Sequence, residues 1–169
     1  LEAVKGAAAA EKNIVISPSG IAAAKYLKQK FGTPYEVFCP PEIIPEWKER
    51  KEQLEHSEQI EQNTAMPNRK ERSDKKVLIV HQQVLANTLR EELLTLAMEQ
   101  KIETDFAKIM VASWFMLDDA LKKEGDILFK EEDDWISYIK ENEYDIIIAD
   151  PLLKKAVPFY KGEWYDLPH

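Results

Sequence analysis

Between Lys75 and Met98 the spacing of apolar residues switches from one period to another, and the rest of the chain repeats that switch. Val77–Val80 is an unbroken apolar run behind two lysines. It is too short for a helix and rich in β-branched side chains, which predicts a strand buried on both faces. From Leu85 the repeat is helical: Leu85, Leu89, Leu93 and Leu96 share a face, and Arg90, Glu91 and Glu92 are expected mostly on the other, solvated side. A buried strand feeding an amphipathic helix is the first half of a right-handed crossover. Ligands of such sheets sit beyond the carboxyl ends of the strands, so His81-Gln82-Gln83 is the first candidate site loop.

The same alternation runs through the chain. Residues 1–12 are alanine-rich and read as the tail of a helix, and Ile14-Val15-Ile16 within Asn13–Ser17 reads as a buried strand. After the break at Pro18-Ser19-Gly20, a helix is expected over Ile21–Phe31, with Ile21, Ala24, Leu27 and Phe31 inward and Lys25, Lys28 and Gln29 in water. Gly32 suits the left-handed residue after a helix, and Pro34 prevents its continuation. Tyr35–Phe38 is the next strand. Residues 1–40 are thus expected to form a small βαβ piece from the end of a preceding domain.

From residue 41 to 74 the composition turns polar and charged, with Glu46–Arg50, Lys48–Glu52 and Lys51–Glu55 spaced four apart. This predicts a largely exposed helical connector. Residues 75–169 then read as a truncated α/β domain. After the central strand and helix come a strand at Ile109–Ser113, a short helix at Leu117–Lys123, a turn at Gly125-Asp126 and an extended Ile127–Phe129. A helix follows over Glu132–Asn142, with Trp135, Ile136 and Ile139 buried and acids at its start to suit the dipole. Asp145–Ala149 is the clearest strand, followed by a short helix over Leu152–Ala156 and a last strand near Trp164–Leu167. Strands alternating with helices imply a three-layer parallel sheet covered on both sides.

Charge and composition narrow the function. A net charge of -8 argues against nucleic acid or an anionic membrane as the main partner. The mostly apolar run Ile109–Leu117 is too short to span a bilayer. One cysteine, Cys39, excludes an internal disulfide and a cysteine-only metal cage built by this chain alone. With no charged-then-apolar leader at its start, a cytoplasmic location is expected. The missing initiator methionine and the stop just after a strand suggest a piece of a longer protein. No G-x-G-x-x-G follows Val77–Val80, no phosphate loop with its lysine occurs, and no nucleophile, base and oxyanion turn can be assembled. A self-contained enzyme is therefore not expected.

Several blocks, in order and spacing, resemble component one of nitrogenase and the wider family of nitrogenase-like oxidoreductases. They are Asn13–Gly20, Tyr26–Tyr35, Lys75-Lys76-Val77, Glu124–Phe129 and Tyr144–Asp150. The resemblance implies a subunit of three stacked Rossmann-like domains with metal clusters between them. This chain would supply the end of the second domain, the connector and most of the third. It also implies a homologous partner subunit, electrons from a separate iron–sulfur reductase, and an iron–sulfur or related cluster or a tetrapyrrole-like substrate in the intact protein. Where the molybdenum enzyme has a cofactor-holding cysteine this chain has Ser17. The loop at His81-Gln82-Gln83 lacks the family's glycines and arginine. His169 falls near the family's cofactor-ligating histidine.

Candidate residues follow from these two lines of argument. Ser17 either lines a cofactor cavity or caps the following helix, as Ser19 can also do. His81, at a strand end, is either a ligand or proton carrier in the crevice or a polar loop residue. Asp150 either faces the same crevice or forms a turn with Pro151. His169 is the candidate metal ligand. Cys39 is either a cluster ligand or structural, and Trp114, Phe115 and Trp135 are expected in the core or at a domain interface. The expected function is that of a nitrogenase-like subunit fragment lining a cavity; the alternative is a non-catalytic scaffold or carrier of a cofactor precursor or partner.

Overall fold

A computed structural model of the chain describes residues 6–40, 75–99 and 109–167. The strands in them are β1 (Asn13–Val15), β2 (Tyr35–Val37), β3 (Val77–Val80), β4 (Ile109–Ser113), β5 (Ile127–Leu128), β6 (Ile146–Ala149) and β7 (Glu163–Asp166). The α-helices are α1 (Ile21–Phe31), α2 (Gln83–Glu99), α3 (Glu132–Glu141) and α4 (Pro151–Ala156). The expected charged connector, 41–74, lies outside the described residues.

β3 to β7 form one five-stranded sheet in the order β5-β4-β3-β6-β7, every pair parallel. The chain therefore builds outward from β3 through β4 to β5, then returns to the other side of β3 through β6. This is the doubly wound order, and its reversal lies between β3 and β6. There Val77–Val80 stands opposite Ile146–Ala149, residue for residue.

The pleat of β3 feeds two cores. Val77 and Ile79 pack with Val84, Leu85 and Leu89 of α2 and with Ile109 and Val111 of β4. Leu78 and Val80 pack on the opposite face with Trp135 and Ile139 of α3, with Phe129, and with Leu153 and Ala156 of α4. Helix, sheet and helices make three layers, and a strand buried on both sides must be apolar throughout. The second core is largely aromatic. Phe129 meets Trp114, Trp135 and Tyr138 with ring centroids 5.4, 5.7 and 5.5 Å apart, in the tilted and edge-on arrangements that ring quadrupoles favour.

At its margin the Tyr138 and Tyr144 hydroxyls lie 2.5 Å apart. Burial, helped by that hydroxyl, raises the Tyr144 phenol well above its ordinary value of 10.0; burial also pushes Tyr160 up to about 12. The folded state thus holds these protons to higher pH than the unfolded chain does. The contribution of these two phenols to stability is constant below about pH 10 and falls as the pH climbs through 10 towards 12. Urea midpoints measured across that window should decline, and Tyr144→Phe should decline less steeply than wild type. Equal slopes would show that the Tyr144 phenol is not held in its neutral form.

The amino-terminal unit is a second, two-stranded parallel sheet, β1 with β2, covered on one face by α1. α1 begins and ends where the sequence predicts, and Gly32 closes it in the left-handed conformation (φ 76°), its N–H returning to the Lys28 carbonyl. Two expectations need correction. Ile14 and Ile16 are about half exposed and only Val15 is buried, because a single helix covers a single face of a strand with a two-residue period. Phe31, expected inward, is 52% exposed; two three-residue strands are too short a surface to cover the last turn of α1. Val37 and Cys39 pack into the α2-side core, Leu121 packs against Val15, Ile21 and Ala24, and the Cys39 N–H donates to Thr88 Oγ1 at 3.0 Å. These contacts seat the small unit on the large one.

Candidate functional site

Val80 and Ala149 are the last paired residues of β3 and β6, so His81 and Asp150 leave the sheet side by side at the point where the strand order reverses. His81 is buried, and its backbone N–H extends the ladder to the Ala112 carbonyl at 3.1 Å. Asp150 caps α4: its Oδ1 accepts from the Leu152 N–H at 2.7 Å, with Pro151 opening the helix. Asp150 thus has the local role expected of an Asp-Pro pair, at the end of β6. Neighbouring Gln82 fixes its own loop, Oε1 accepting from the Val84 N–H at 3.0 Å, while Nε2 reaches across to donate to the Ile16 carbonyl at 2.8 Å.

That last bond joins the two sheets at their carboxyl ends and brings Ser17 to the same edge of the molecule. Capping by Ser17 or Ser19 is not what occurs. Ser17 is extended and its hydroxyl makes no cap bond; it lies 3.1 Å from the Ser19 hydroxyl instead. Ser17 lines an open depression of about 310 Å³ with Ile14, Ile16, Ser19 and Leu27. The loop after β1 thus touches the loop after β3 through Gln82, and the loop after β3 stands beside the loop after β6; the depression that Ser17 lines is formed by residues 13–27, and neither His81 nor Asp150 lines it. His169 lies outside the described residues.

A polar stripe on α2 holds the segment between β4 and β5, and sequence reasoning missed it. Gln83, fully buried, holds both backbone groups of Asp118: Nε2 donates to its carbonyl at 3.0 Å and Oε1 accepts from its N–H at 2.7 Å. Asn87 donates to the Leu121 carbonyl at 3.0 Å. Arg90, expected in solvent, is buried against Asp126 at 2.6 Å. Gln83, Asn87 and Arg90 fall four and three residues apart, the spacing of one helical face. Leu117–Lys123 is not the helix its residues predict: it makes a turn, the Leu121 N–H donating to the Asp118 carbonyl at 3.1 Å, and the Lys123 N–H that a helix would use goes to the Asp126 carboxylate at 2.9 Å.

Trp114 and Trp135 join the aromatic core as expected, whereas Phe115 projects outward, 93% exposed. Cys39 is 4% exposed in the α2-side core, and burial pushes its thiol up. A buried, protonated thiol is a poor metal ligand. Among the described residues, no three His, Cys, Asp or Glu side chains gather as a metal site. A hydroxyl, an imidazole and a carboxylate already engaged in capping do not fit an iron–sulfur cluster, which is held by thiolates. They suit hydrogen bonding to a ligand's polar groups.

An α/β fold with a five-strand all-parallel sheet between helices, consistent with a Rossmann-like three-layer domain, is thus in place, with His81 and Asp150 following the two strands at its switch point. No protein-family model matches the chain, and no curated protein matches it. Among the described residues, no helix is long and apolar enough to cross a membrane.

Proposed function

We propose that this chain is part of a nitrogenase-like oxidoreductase subunit, in which the edge bearing Ser17, His81 and Asp150 forms one wall of the cavity between domains. That cavity would take a tetrapyrrole-like substrate, or a metal cluster whose ligands come from outside the described residues; a homologous subunit completes it, and a separate iron–sulfur reductase supplies electrons. The observation that carries this reading is the joining of two parallel sheets at their carboxyl ends by the Gln82–Ile16 bond. Ligand crevices of open α/β sheets form at that end, and two such ends side by side make a cavity between units. The succession of sequence blocks supports the family. In this wall His81 orients a ligand or carries a proton, and Ser17 and Asp150 offer polar contacts.

The burial of Cys39 favours a second reading, a scaffold or carrier that binds a cofactor precursor or partner without catalysis, because the described residues provide no thiolate. Iron and acid-labile sulfide in the full-length protein, purified without oxygen, separate the two. Stoichiometric iron with a cluster-like absorption band supports the cluster-bearing subunit, its ligands then lying outside the described residues. A folded, metal-free protein overturns a cluster in this subunit and leaves the scaffold or an organic ligand.

A further inference from the structure

β1 has a neighbour on one side. Among the described residues it pairs with β2 alone, and the Asn13 N–H donates to the Pro34 carbonyl at 2.9 Å. Successive residues of a strand turn their backbone groups to opposite sides. Those of Asn13 and Val15 therefore face β2, and those of Ile14 and Ile16 face away from it. The Gln82 bond agrees, since it reaches the Ile16 carbonyl from outside the two-stranded sheet. Along this unpaired side runs the depression of about 310 Å³. One wall is Asn13–Ser17 and the other is α1, through Ala23, Ala24 and Leu27. Among the described residues, none of β2 and none of the larger unit lines it. The helix thus overhangs the open edge of β1, and Ser17, extended at φ -146° and ψ 147°, carries the strand conformation past Val15.

An unpaired edge is a template for another strand unless charge, proline or brevity blunts it. Other edges of this molecule are blunted. β2 carries Glu36 at its centre, β5 is two residues long, and β7 begins and ends with the exposed acids Glu163 and Asp166. Asn13–Ser17 holds neither charge nor proline. Val15 turns inward beneath α1, while Ile14 and Ile16 on the outer face are 48% and 47% exposed.

We infer that this edge pairs with the same edge of a second copy of the chain, antiparallel about a two-fold axis at Val15, joining two small sheets into one of order β2-β1-β1-β2. A two-fold contact must be self-complementary, and an edge strand lying antiparallel to its own copy is so by construction. The residues also match in both directions, Asn-Ile-Val-Ile-Ser. With Val15 opposite Val15, each Ile14 stands opposite the partner's Ile16 and each Asn13 opposite the partner's Ser17. Ile14 and Ile16 are the residues whose backbone groups face the open side, so they exchange N–H···O=C bonds as a hydrogen-bonded antiparallel pair. The Ile16 carbonyl has a second lone pair for Gln82. Four isoleucines cover one another on the outer face, and no like charges meet within the paired stretch. That stretch ends at Ser17, so the inference does not depend on the nitrogenase-like reading of the loops beyond it.

Sedimentation velocity of the chain tests it, and a species of twice the 19.6 kDa monomer mass is expected. Ile14→Lys with Ile16→Lys sets like charges opposite one another at half-exposed positions. It is expected to weaken dimerisation about tenfold or more, with the circular dichroism unchanged. Register is read separately by cysteine pairs. An equimolar mixture of Ile14→Cys and Ile16→Cys proteins should give a disulfide-linked dimer on mild oxidation, because opposed strand residues stand about 5.5 Å apart between Cα atoms. Either protein alone should give far less. If the lysine variant loses its circular dichroism, the mixed cross-link decides. A wild-type protein that is monomeric at about 100 μM overturns the proposal, as does a dimer indifferent to the folded lysine variant, or cross-linking no greater in the mixture than in either protein alone.

Discussion

Replacing Asp126 with alanine is expected to remove about 3–5 kcal/mol of stability, the cost of leaving a buried charge without its partner. Asp126 receives four donors: Arg90 Nη1 at 2.6 Å and the Val111 N–H at 3.2 Å on one oxygen, Arg90 Nη2 at 3.1 Å and the Lys123 N–H at 2.9 Å on the other. The side chains of Arg90 and Asp126 are 3% and 0% exposed, so bulk solvent does not reach the donors that truncation leaves. The guanidinium keeps only its Asn87 contact. Arg90→Met introduced into the same background should recover a good part of the loss, since the uncompensated charge is then gone. Urea unfolding of the two variants measures this. A double variant no more stable than Asp126→Ala would show that the lost backbone contacts, and not the orphaned charge, set the cost.

Trp135→Ala is the second large effect, with an expected loss of about 3–5 kcal/mol. The indole is fully buried in the core between sheet and α3. It stacks edge-on with Phe129 and, at 6.3 Å, with Trp164, and its Nε1 donates to the Leu153 carbonyl of α4 at 3.3 Å. Truncation opens a cavity and unties α3 from α4 in one step. Trp135→Phe keeps most of the apolar volume and should cost clearly less. Trp135 and Asp126 belong to different networks, so their losses should add to within about 0.5 kcal/mol. A whole domain is stable by only about 5–15 kcal/mol, so either change should visibly lower the urea midpoint, and an unshifted midpoint for Trp135→Ala would contradict its place in the core.

Where physics is local, the sequence is readable. Val77–Val80 announces a doubly buried strand because a four-residue apolar run has nowhere else to go, and α1 stops at Gly32 because only glycine takes that left-handed turn at no steric cost. The side-by-side placement of His81 and Asp150 followed from topology alone: the ends of β3 and β6 become neighbours once the sheet is doubly wound. What failed was pairing over long separations. Arg90 reads as a solvated charge until Asp126, thirty-six residues later, folds back onto it. Leu117–Lys123 has helical residues but gives up the Lys123 N–H to Asp126, three residues on, and is held instead as a turn against Gln83 and Asn87. A signal was present in the polar positions 83, 87 and 90 on one helical face, which a wholly buried α2 side would not carry without partners. Phe115 is legible as an aromatic but not as an exposed one, because a fixed turn, not hydropathy, decides where it points.

The loops after β1, β3 and β6 are proposed to form one ligand-holding edge. Native mass spectrometry of the full-length protein, purified without oxygen, tests it most directly by comparing wild type with Ser17→Trp and Asp150→Asn. Both substitutions are at partly exposed positions; the first fills the depression, and the second keeps an oxygen to cap α4. The account predicts a retained non-protein mass on wild type that falls at least tenfold in occupancy in both variants, at unchanged urea midpoints. The same bound mass in all three proteins, or none on wild type, would contradict it.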